Sequence, residues 1–304
     1  TLPAANSCIA VDPSDDSKWY IGAGQFWDLR KVHRSQEHLH GTTVPGAEYG
    51  HIYKSINGGT NFVKITDQFD PGLDVGRIIV DPEDSDRIYM AANHGFYMSG
   101  NGGDNWKLRG AGLHHNRPRD LCSWYDPATG EFILYLLEQT EYEDNGSGTV
   151  SFSGGVFRSS DGGSNWENIT GNLAIDLNAI HDSASASLYY RAIGRWFGIE
   201  ESEARSRFPE LPDSVFTVFN RITVNPHDED EIYLSNSVAH DCSFTPGEVW
   251  KSNDGGRHWH VVTRYGPYWE RRADSAYWKE RGNPPGVNMH FSHSSLLKQE
   301  GQGP

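Results

Sequence analysis

The chain has 304 residues and a formal net charge of −15. That balance excludes the basic stripe a nucleic-acid binder needs to release counterions, and it repels anionic membrane surfaces. With 36% hydrophobic residues, 12% aromatic residues and 33 glycines, the chain can bury a core but must turn often, and no stretch approaches the length of a transmembrane helix.

Taken in chain order, the same sequence of elements recurs four times. Ile9-Ala-Val-Asp-Pro13 is followed by Trp19-Tyr-Ile-Gly22 and, after a long excursion, by Ser55-Ile-Asn-Gly-Gly-Thr-Asn-Phe62. Ile78-Ile-Val-Asp-Pro82, Ile88-Tyr-Met-Ala91 and Ser99-Gly-Asn-Gly-Gly-Asp-Asn-Trp106 form the second set. The third is Ser123-Trp-Tyr-Asp-Pro127, Ile133-Leu-Tyr-Leu136 and Ser159-Ser-Asp-Gly-Gly-Ser-Asn-Trp166. The fourth is Ile222-Thr-Val-Asn-Pro226, Ile232-Tyr-Leu-Ser235 and Ser252-Asn-Asp-Gly-Gly-Arg-His-Trp259. Proline cannot donate to a strand ladder, so each Asp-Pro or Asn-Pro ends a strand. In each Ser-x-(Asp/Asn)-Gly-Gly-x-x-(Trp/Phe) string the glycines supply positive φ, the Asp or Asn accepts from nearby backbone, and the aromatic fills the gap between strands.

Each unit therefore reads strand A, Asp-Pro turn, strand B, variable loop, strand C, glycine turn, strand D. That is one four-stranded antiparallel blade, and the fold class is an all-β β-propeller. One propeller region spans 1–304, with blades at about 6–67, 77–110, 120–170 and 220–264, an insert at 171–219, and a partial further blade at 286–304 opened by Val287-Asn-Met-His-Phe-Ser-His293. Because four blades are few and an unclosed ring leaves exposed strand edges, further blades of a longer parent chain are expected. The alternative is a compact ring of four or five irregular blades. The start at Thr1 reads as a processed or excised chain.

The repeat resembles the Asp-box, or BNR, repeat of sialidase-like and sortilin-like propellers. Strings such as Val11-Asp-Pro-Ser-Asp15 and Gly247-Glu-Val-Trp-Lys-Ser-Asn-Asp-Gly-Gly256 are similar to those of large secreted bacterial propellers, including two-propeller xyloglucanases. The resemblance implies the fold and a location that is secreted, periplasmic or on the cell surface. It does not carry an activity over. Xyloglucanases of this type have a catalytic Asp just after strand B in a Thr-Asp-Val-Gly-Gly-like string. The matching places here read Ala92-Asn93-His94-Gly95 and Ala23-Gly24-Gln25-Phe26, without the acid. The Arg-Ile-Pro string of sialidases is also missing, since Arg221-Ile222 is followed by Thr223.

Extra length falls between strands B and C, shortest from Asp81 to Ser99 and longest from Asp12 to Ser55, and between strand D and the next strand A over 170–220 and 265–288. In such blades these connections share one face, while the Asp-Pro and Asp-box turns share the other, so Asp161 and Asp254 hold turns and function belongs on the elaborated face. There the B–C segments bring Trp27 and Asp28, then His33, His38 and His40, then His94, then Glu138, Gln139, Glu141, Glu143 and Asp144, and finally His240 and Asp241. Glycoside hydrolysis needs two carboxyl groups about 5–9 Å apart. The candidate catalytic acids are Glu138 or Glu141 set against Asp241 or Asp28, with ordinary solvated loop acids as the bland alternative. Candidate substrate-binding residues are Trp27, His94, Trp196, His240, Tyr268 and Trp269, since aromatic planes stack on sugar rings; the same aromatics would equally serve as small loop cores. The insert near 185–208 carries two helical stretches, Ser185 to Phe197 and Glu200 to Phe208, as a lid or a brace.

His38-Leu39-His40 has a spacing compatible with metal binding, but no cysteine or carboxylate completes a set nearby, so no metal or cofactor is assigned; structural calcium on backbone carbonyls is compatible and unspecified. His114-His115, His290 and His293 read as polar loop or strand residues. Cys8 and Cys122 fall on inner strands two blades apart, too far for a disulfide, and Cys242 leaves the count odd. Two functions stand: a secreted carbohydrate-active propeller that hydrolyses or binds glycan, and a non-catalytic, sortilin-like propeller that binds a protein ligand or joins an assembly.

Overall fold

The structure is a computed structural model that describes residues 6–24, 51–69, 73–173, 175–176, 189–190, 193–194, 196–210, 214–215, 219–236 and 248–264. Among these, four antiparallel sheets of four strands follow one another along the chain. Blade 1 is β1 (Asn6–Asp12), β2 (Asp15–Ala23), β3 (Ile52–Ser55) and β4 (Val63–Lys64). Blade 2 is β5 (Val75–Val80), β6 (Ile88–Ala92), β7 (Gly95–Ser99) and β8 (Lys107–Arg109). Blade 3 is β9 (Pro118–Asp126), β10 (Glu131–Asp144), β11 (Val150–Ser159) and β12 (Glu167–Asn168). A short ribbon pairs β13 (Ile175–Asp176) with β14 (Ser214–Val215), and between them lies the helix α1 (Glu201–Arg207). Blade 4 is β15 (Phe219–Asn225), β16 (Asp228–Asn236), β17 (Glu248–Ser252) and β18 (His260–Arg264). The architecture is the expected all-β propeller. The expected blade at 286–304 lies outside the described residues.

Two side-chain-capped turns build every blade. At the A–B turn, the Asp or Asn before proline accepts the N–H two residues on: Ser14 to Asp12 at 2.9 Å, Glu83 to Asp81 at 3.0 Å, Ala128 to Asp126 at 2.9 Å and His227 to Asn225 at 3.0 Å. At the C–D turn a buried serine does double duty. Its hydroxyl donates to the Asx oxygen (Ser55 to Asn57 2.9 Å, Ser99 to Asn101 2.9 Å, Ser159 to Asp161 2.8 Å, Ser252 to Asp254 2.9 Å). It also accepts the N–H of the second glycine, Gly59, Gly103, Gly163 or Gly256, at 2.9–3.0 Å. The same Asx oxygen then takes the N–H of Asn61, Asn105, Asn165 or His258. The turn is thus closed from within, and its buried hydroxyl is fully satisfied.

The two turns of a blade also bond to each other. The first glycine's N–H reaches the carbonyl of the A–B turn in Gly58 to Ser17 (2.9 Å), Gly102 to Asp86 (2.9 Å) and Gly255 to Asp230 (3.1 Å). Both turns therefore sit on one edge of each sheet, and the variable connections leave from the other.

The chain divides into two compact units, the first being Thr1–Gln139 with Gly154–Ile169 and Ile222–Glu229. Here β1 lies against β5, and β5 against β9. Tyr20 and Ile52 of blade 1 pack on Ile78, Val80, Ile88, Met90 and Trp106 of blade 2. Tyr89, Ala91 and Phe96 of blade 2 pack on Leu121, Leu134, Leu136, Phe157 and Trp166 of blade 3. Each large side chain so buried stabilises by roughly 1.5–3 kcal/mol. The doubled glycine belongs to this packing as well as to the turn. A Cβ on Gly103 (φ +95) would come 2.4 Å from Ile65 of the blade before, and one on Gly163 (φ +77) would come 2.2 Å from Phe96. An amide clip completes the junction: Gln68, on the chain leaving blade 1, accepts the Trp106 N–H at 2.8 Å and donates to the Trp106 carbonyl at 2.7 Å.

The second unit comprises Thr140–Ser153, Thr170–Arg221 and Asp230–Pro304. It repeats the clip, with Asn172 accepting from Trp259 N–H at 2.6 Å and donating to its carbonyl at 3.1 Å. Beyond the β13–β14 ribbon, the insert has helical residues at 189–190, 193–194, 196–197 and in α1, and it packs Tyr189, Tyr190, Ile193, Ala204 and Phe208 on Tyr142 and Val150 of the β10–β11 hairpin. Acidic Glu201 and Glu203 in the first turn of α1 and basic Arg205 and Arg207 in the last complement its dipole.

Hydrogen bonds from the His258 backbone N–H and imidazole hold the Asp254 carboxyl at about 2, below its ordinary 3.8. A depressed folded value means that this contribution is complete above the unfolded value and disappears as pH falls through the folded one. Acid titration followed by circular dichroism should therefore show stability falling between about pH 4 and pH 2, with a smaller fall in Asp254→Asn. Blades 1 and 2 carry Asn57 and Asn101 at this position and lack that response.

Candidate functional site

At the loop-bearing end of the first unit, three inner strands carry the same irregularity. Register shifts insert Ser7 as an extra residue between Asn6 and Cys8, Gly76 between Val75 and Arg77, and Arg119 between Pro118 and Asp120. Such bulges re-aim the side chain that follows them. Those side chains are Cys8, Arg77 and Asp120. The buried Asp120 carboxylate accepts from Arg77 Nε at 2.9 Å and from the Ile222 N–H at 3.1 Å, and so ties three inner strands together. Ser7 donates its hydroxyl to the Val75 carbonyl, adding a fourth strand to the same ring of contacts.

The field of Asp120 raises the Arg77 pKa, which keeps the guanidinium charged despite its partial burial. The Arg77 side chain is 43% exposed and spends only Nε on Asp120. Its remaining N–H groups can donate to a hydroxyl or carboxylate presented at the mouth of the inner strands. Burial pushes the Cys8 thiol up to about 11 and the Cys122 thiol well above its ordinary value, so both are protonated and unreactive at neutral pH. Both are free cysteines.

Glu138 lies on the same edge, with a fully buried carboxylate. It accepts three consecutive backbone N–H groups: His114 on Oε2 at 3.2 Å, and His115 and Asn116 on Oε1 at 3.0 and 2.7 Å. Asn116, in the left-handed region (φ 52), receives the Phe96 N–H on its side-chain oxygen at 2.9 Å and donates to the Arg109 carbonyl at 2.8 Å. His114 stands 2.9 Å from the Gly154 carbonyl through Nδ1 and 3.3 Å from Asn168 Nδ2 through Nε2. A carbonyl can only accept, so Nδ1 carries the proton and Nε2 receives the amide. The histidine thus spends both ring nitrogens on neighbouring backbone and side-chain groups of the same blade. This network fixes the connection from blade 2 to blade 3, and Glu138 is its anchor.

Of the sequence-predicted residues, the structure describes Glu138, Gln139, Glu141, Glu143, Asp144, His94 and Trp196. Glu138, Gln139, Glu141, Glu143 and Asp144 were expected in a B–C loop. They instead continue β10 to Asp144, because Tyr142 alternates inward to meet the core of the insert. Glu141 is half-buried on this extension, and Asp144 accepts from Arg207 at 3.0 and 2.6 Å. His94 occupies the two-residue turn between β6 and β7, beside Asn93, whose side chain accepts the Asp74 N–H at 2.8 Å. Trp196 donates Nε1 to the Tyr142 carbonyl at 2.7 Å and meets that ring edge-on at 5.4 Å, so its indole is part of the insert's core. Trp27, Asp28, His33, His38, His40, His240, Asp241, Tyr268 and Trp269 lie outside the described residues. Sequence reasoning passed over Arg77 and Asp120. The available signal was a charge inside an otherwise apolar inner strand, Val75-Gly-Arg-Ile-Ile-Val80.

No family model and no curated protein matches the chain. Solved structures similar to it include the GH74 enzyme of Niastella koreensis, at 16% identity and a TM-score of 0.48, covering 83% of this chain and 28% of that one. The GH74 xyloglucanase of Xanthomonas campestris is similar at 14% identity and 0.47, covering 84% and 29%. YCF48 from Cyanidioschyzon merolae is similar at 11% and 0.45, covering 86% and 57%. The chain thus spans between about a quarter and three-fifths of these proteins' lengths.

Glu138→Ala strands three backbone donors and should lower stability by roughly 3 kcal/mol in urea unfolding. Glu138→Gln, which keeps an acceptor for His115 and Asn116, should lose less. Site-resolved alkylation should label native Cys8 and Cys122 at least about tenfold more slowly than an unhindered thiol at pH 8, with the gap closing on unfolding.

Proposed function

We propose that this propeller acts on glycan at the edge carrying its long connections. The observation that carries the reading is the bonding of the two turns within a blade. In blades 1, 2 and 4 it commits one edge to structure and leaves the other, which in blade 2 carries half-exposed Arg77, as the edge from which the B–C connections depart. Arg77 and the aromatic residues Trp27, Tyr268 and Trp269 supply donors and stacking planes suited to a sugar. Glu141, Asp28 and Asp241 are the acids proposed for hydrolysis. Glu138 is a positioning residue, because its oxygens already serve the backbone of 114–116. The reading goes with a location outside the cytoplasm, as a secreted, periplasmic or surface protein.

A second reading, capture of a protein or peptide ligand, is favoured by one observation. Trp196 spends its indole inside the insert, so that the hairpin and α1 form a braced platform instead of a stacking surface.

Incubation with a polysaccharide panel that begins with xyloglucan, followed by product analysis, separates the two. Under the glycan reading, Glu141→Gln or Asp241→Asn lowers turnover at least about a hundredfold without moving thermal unfolding. A panel without products, combined with peptide binding that is lost in Tyr268→Ala or Trp269→Ala, would overturn it in favour of the second.

A further inference from the structure

The chain contains three Asn-Gly pairs, Asn57-Gly58, Asn101-Gly102 and Asn145-Gly146. In such a pair the glycine nitrogen has no Cβ beside it and can close on the carbonyl carbon of the preceding side chain. Whether it does so depends on what already holds the nitrogen and the amide, because a small misplacement of reacting atoms costs a large factor in rate.

The first two pairs are locked into the C–D turns. Gly58 N–H donates to the Ser17 carbonyl and Gly102 N–H to the Asp86 carbonyl, each at 2.9 Å, and a carbonyl cannot take the proton away. The side-chain oxygens of Asn57 and Asn101 each accept a buried serine hydroxyl at 2.9 Å and the N–H four residues on at 3.0 Å. Closing a ring at either place would break both the turn and its bond to the A–B turn.

Asn145-Gly146 sits instead in the exposed loop 145–149 between β10 and β11. Its glycine N–H donates at 2.8 Å to Asp144 Oδ1, a carboxylate oxygen that can accept the proton outright. That N–H and the Arg207 guanidinium hold the Asp144 carboxyl below its usual range, so it is ionised at neutral pH. Asn145 Oδ1 accepts from Ser147 N–H at 3.0 Å and from Ser147 Oγ at 2.8 Å, two donors that polarise the carbonyl and stabilise charge developing on its oxygen. Base, nucleophile and polarised carbonyl thus lie on four consecutive residues. We propose that Asn145-Gly146 is a self-modification site at which Asp144 acts as the base. The Gly146 nitrogen attacks Asn145 Cγ; the N–Cγ bond forms, the Cγ–Nδ2 bond breaks, and the proton taken by Asp144 leaves with Nδ2 as ammonia. The resulting succinimide adds water across one of its two C–N bonds and opens to aspartate or isoaspartate. The new carboxylate stands next to Asp144, whose Oδ2 accepts from Arg207 at 3.0 and 2.6 Å, so charge is added at the clasp between the hairpin and α1.

Incubation of the full chain at neutral pH, followed by timed peptide mass mapping, tests the proposal. The peptide containing Asn145 should gain about one mass unit at least about tenfold faster than those containing Asn57 or Asn101. Both aspartate and isoaspartate should appear there, because either bond of the succinimide can open. Asp144→Asn keeps an acceptor for the Gly146 N–H but cannot take its proton, so it should slow the reaction at least about tenfold, with circular dichroism unchanged. Arg207→Gln removes the same ion pair while keeping the carboxylate, and should not slow it. Equal rates at the three pairs, aspartate as the sole product, or a full rate in Asp144→Asn would each overturn the proposal. Slowing in Arg207→Gln as large as in Asp144→Asn would overturn it too, by assigning the effect to the lost clasp.

Discussion

The structure rests on a serine hydroxyl that has no access to water. In each blade it faces an Asx oxygen and a glycine N–H, and satisfying both fixes the backbone of the C–D turn to one conformation. Replacing a buried hydroxyl of this kind would leave a donor and an acceptor unmet, at a cost of about 1–3 kcal/mol. The conformation it fixes puts the first glycine in reach of the A–B turn. It leaves the second glycine bare, so that Ile65 or Phe96 of the neighbouring blade can approach at van der Waals distance. Local turn chemistry and blade-to-blade packing are thus two results of one hydrogen-bonded loop.

That coupling explains why the fold was legible in the sequence. Asp-Pro and Ser-x-Asx-Gly-Gly are short-range signals whose meaning needs no distant partner, and Ile78, Val80, Ile88 and Met90 follow the alternation that the sheets then use. The helical stretches of the insert were likewise readable, since α1 runs over Glu201–Arg207 within the expected span.

The candidate site was much less legible. A glutamate after a strand looks the same whether it ends in solvent or beneath a loop. Only the fold brings the N–H groups of residues 114–116 onto Glu138, more than twenty positions away. Trp196 was readable as an aromatic on an elaborated connection, but its partner, the Tyr142 carbonyl, depends on β10 running further than the repeat suggests. Arg77 and Asp120 meet across two blades, a pairing that no local spacing encodes. Gln68 and Asn172 stand where strand D has already ended and look like ordinary polar linkers.

Those two amides mark where one structural module stops and the next begins. Gln68 follows blade 1 in the chain yet is bonded to the backbone of Trp106, and Asn172 holds Trp259 in the same way. Recombination between propellers of this kind, whether by a designer or by gene duplication, would therefore preserve its joints only if the crossover fell beyond the amide. A crossover at the last strand residue would separate each latch from the blade it fastens.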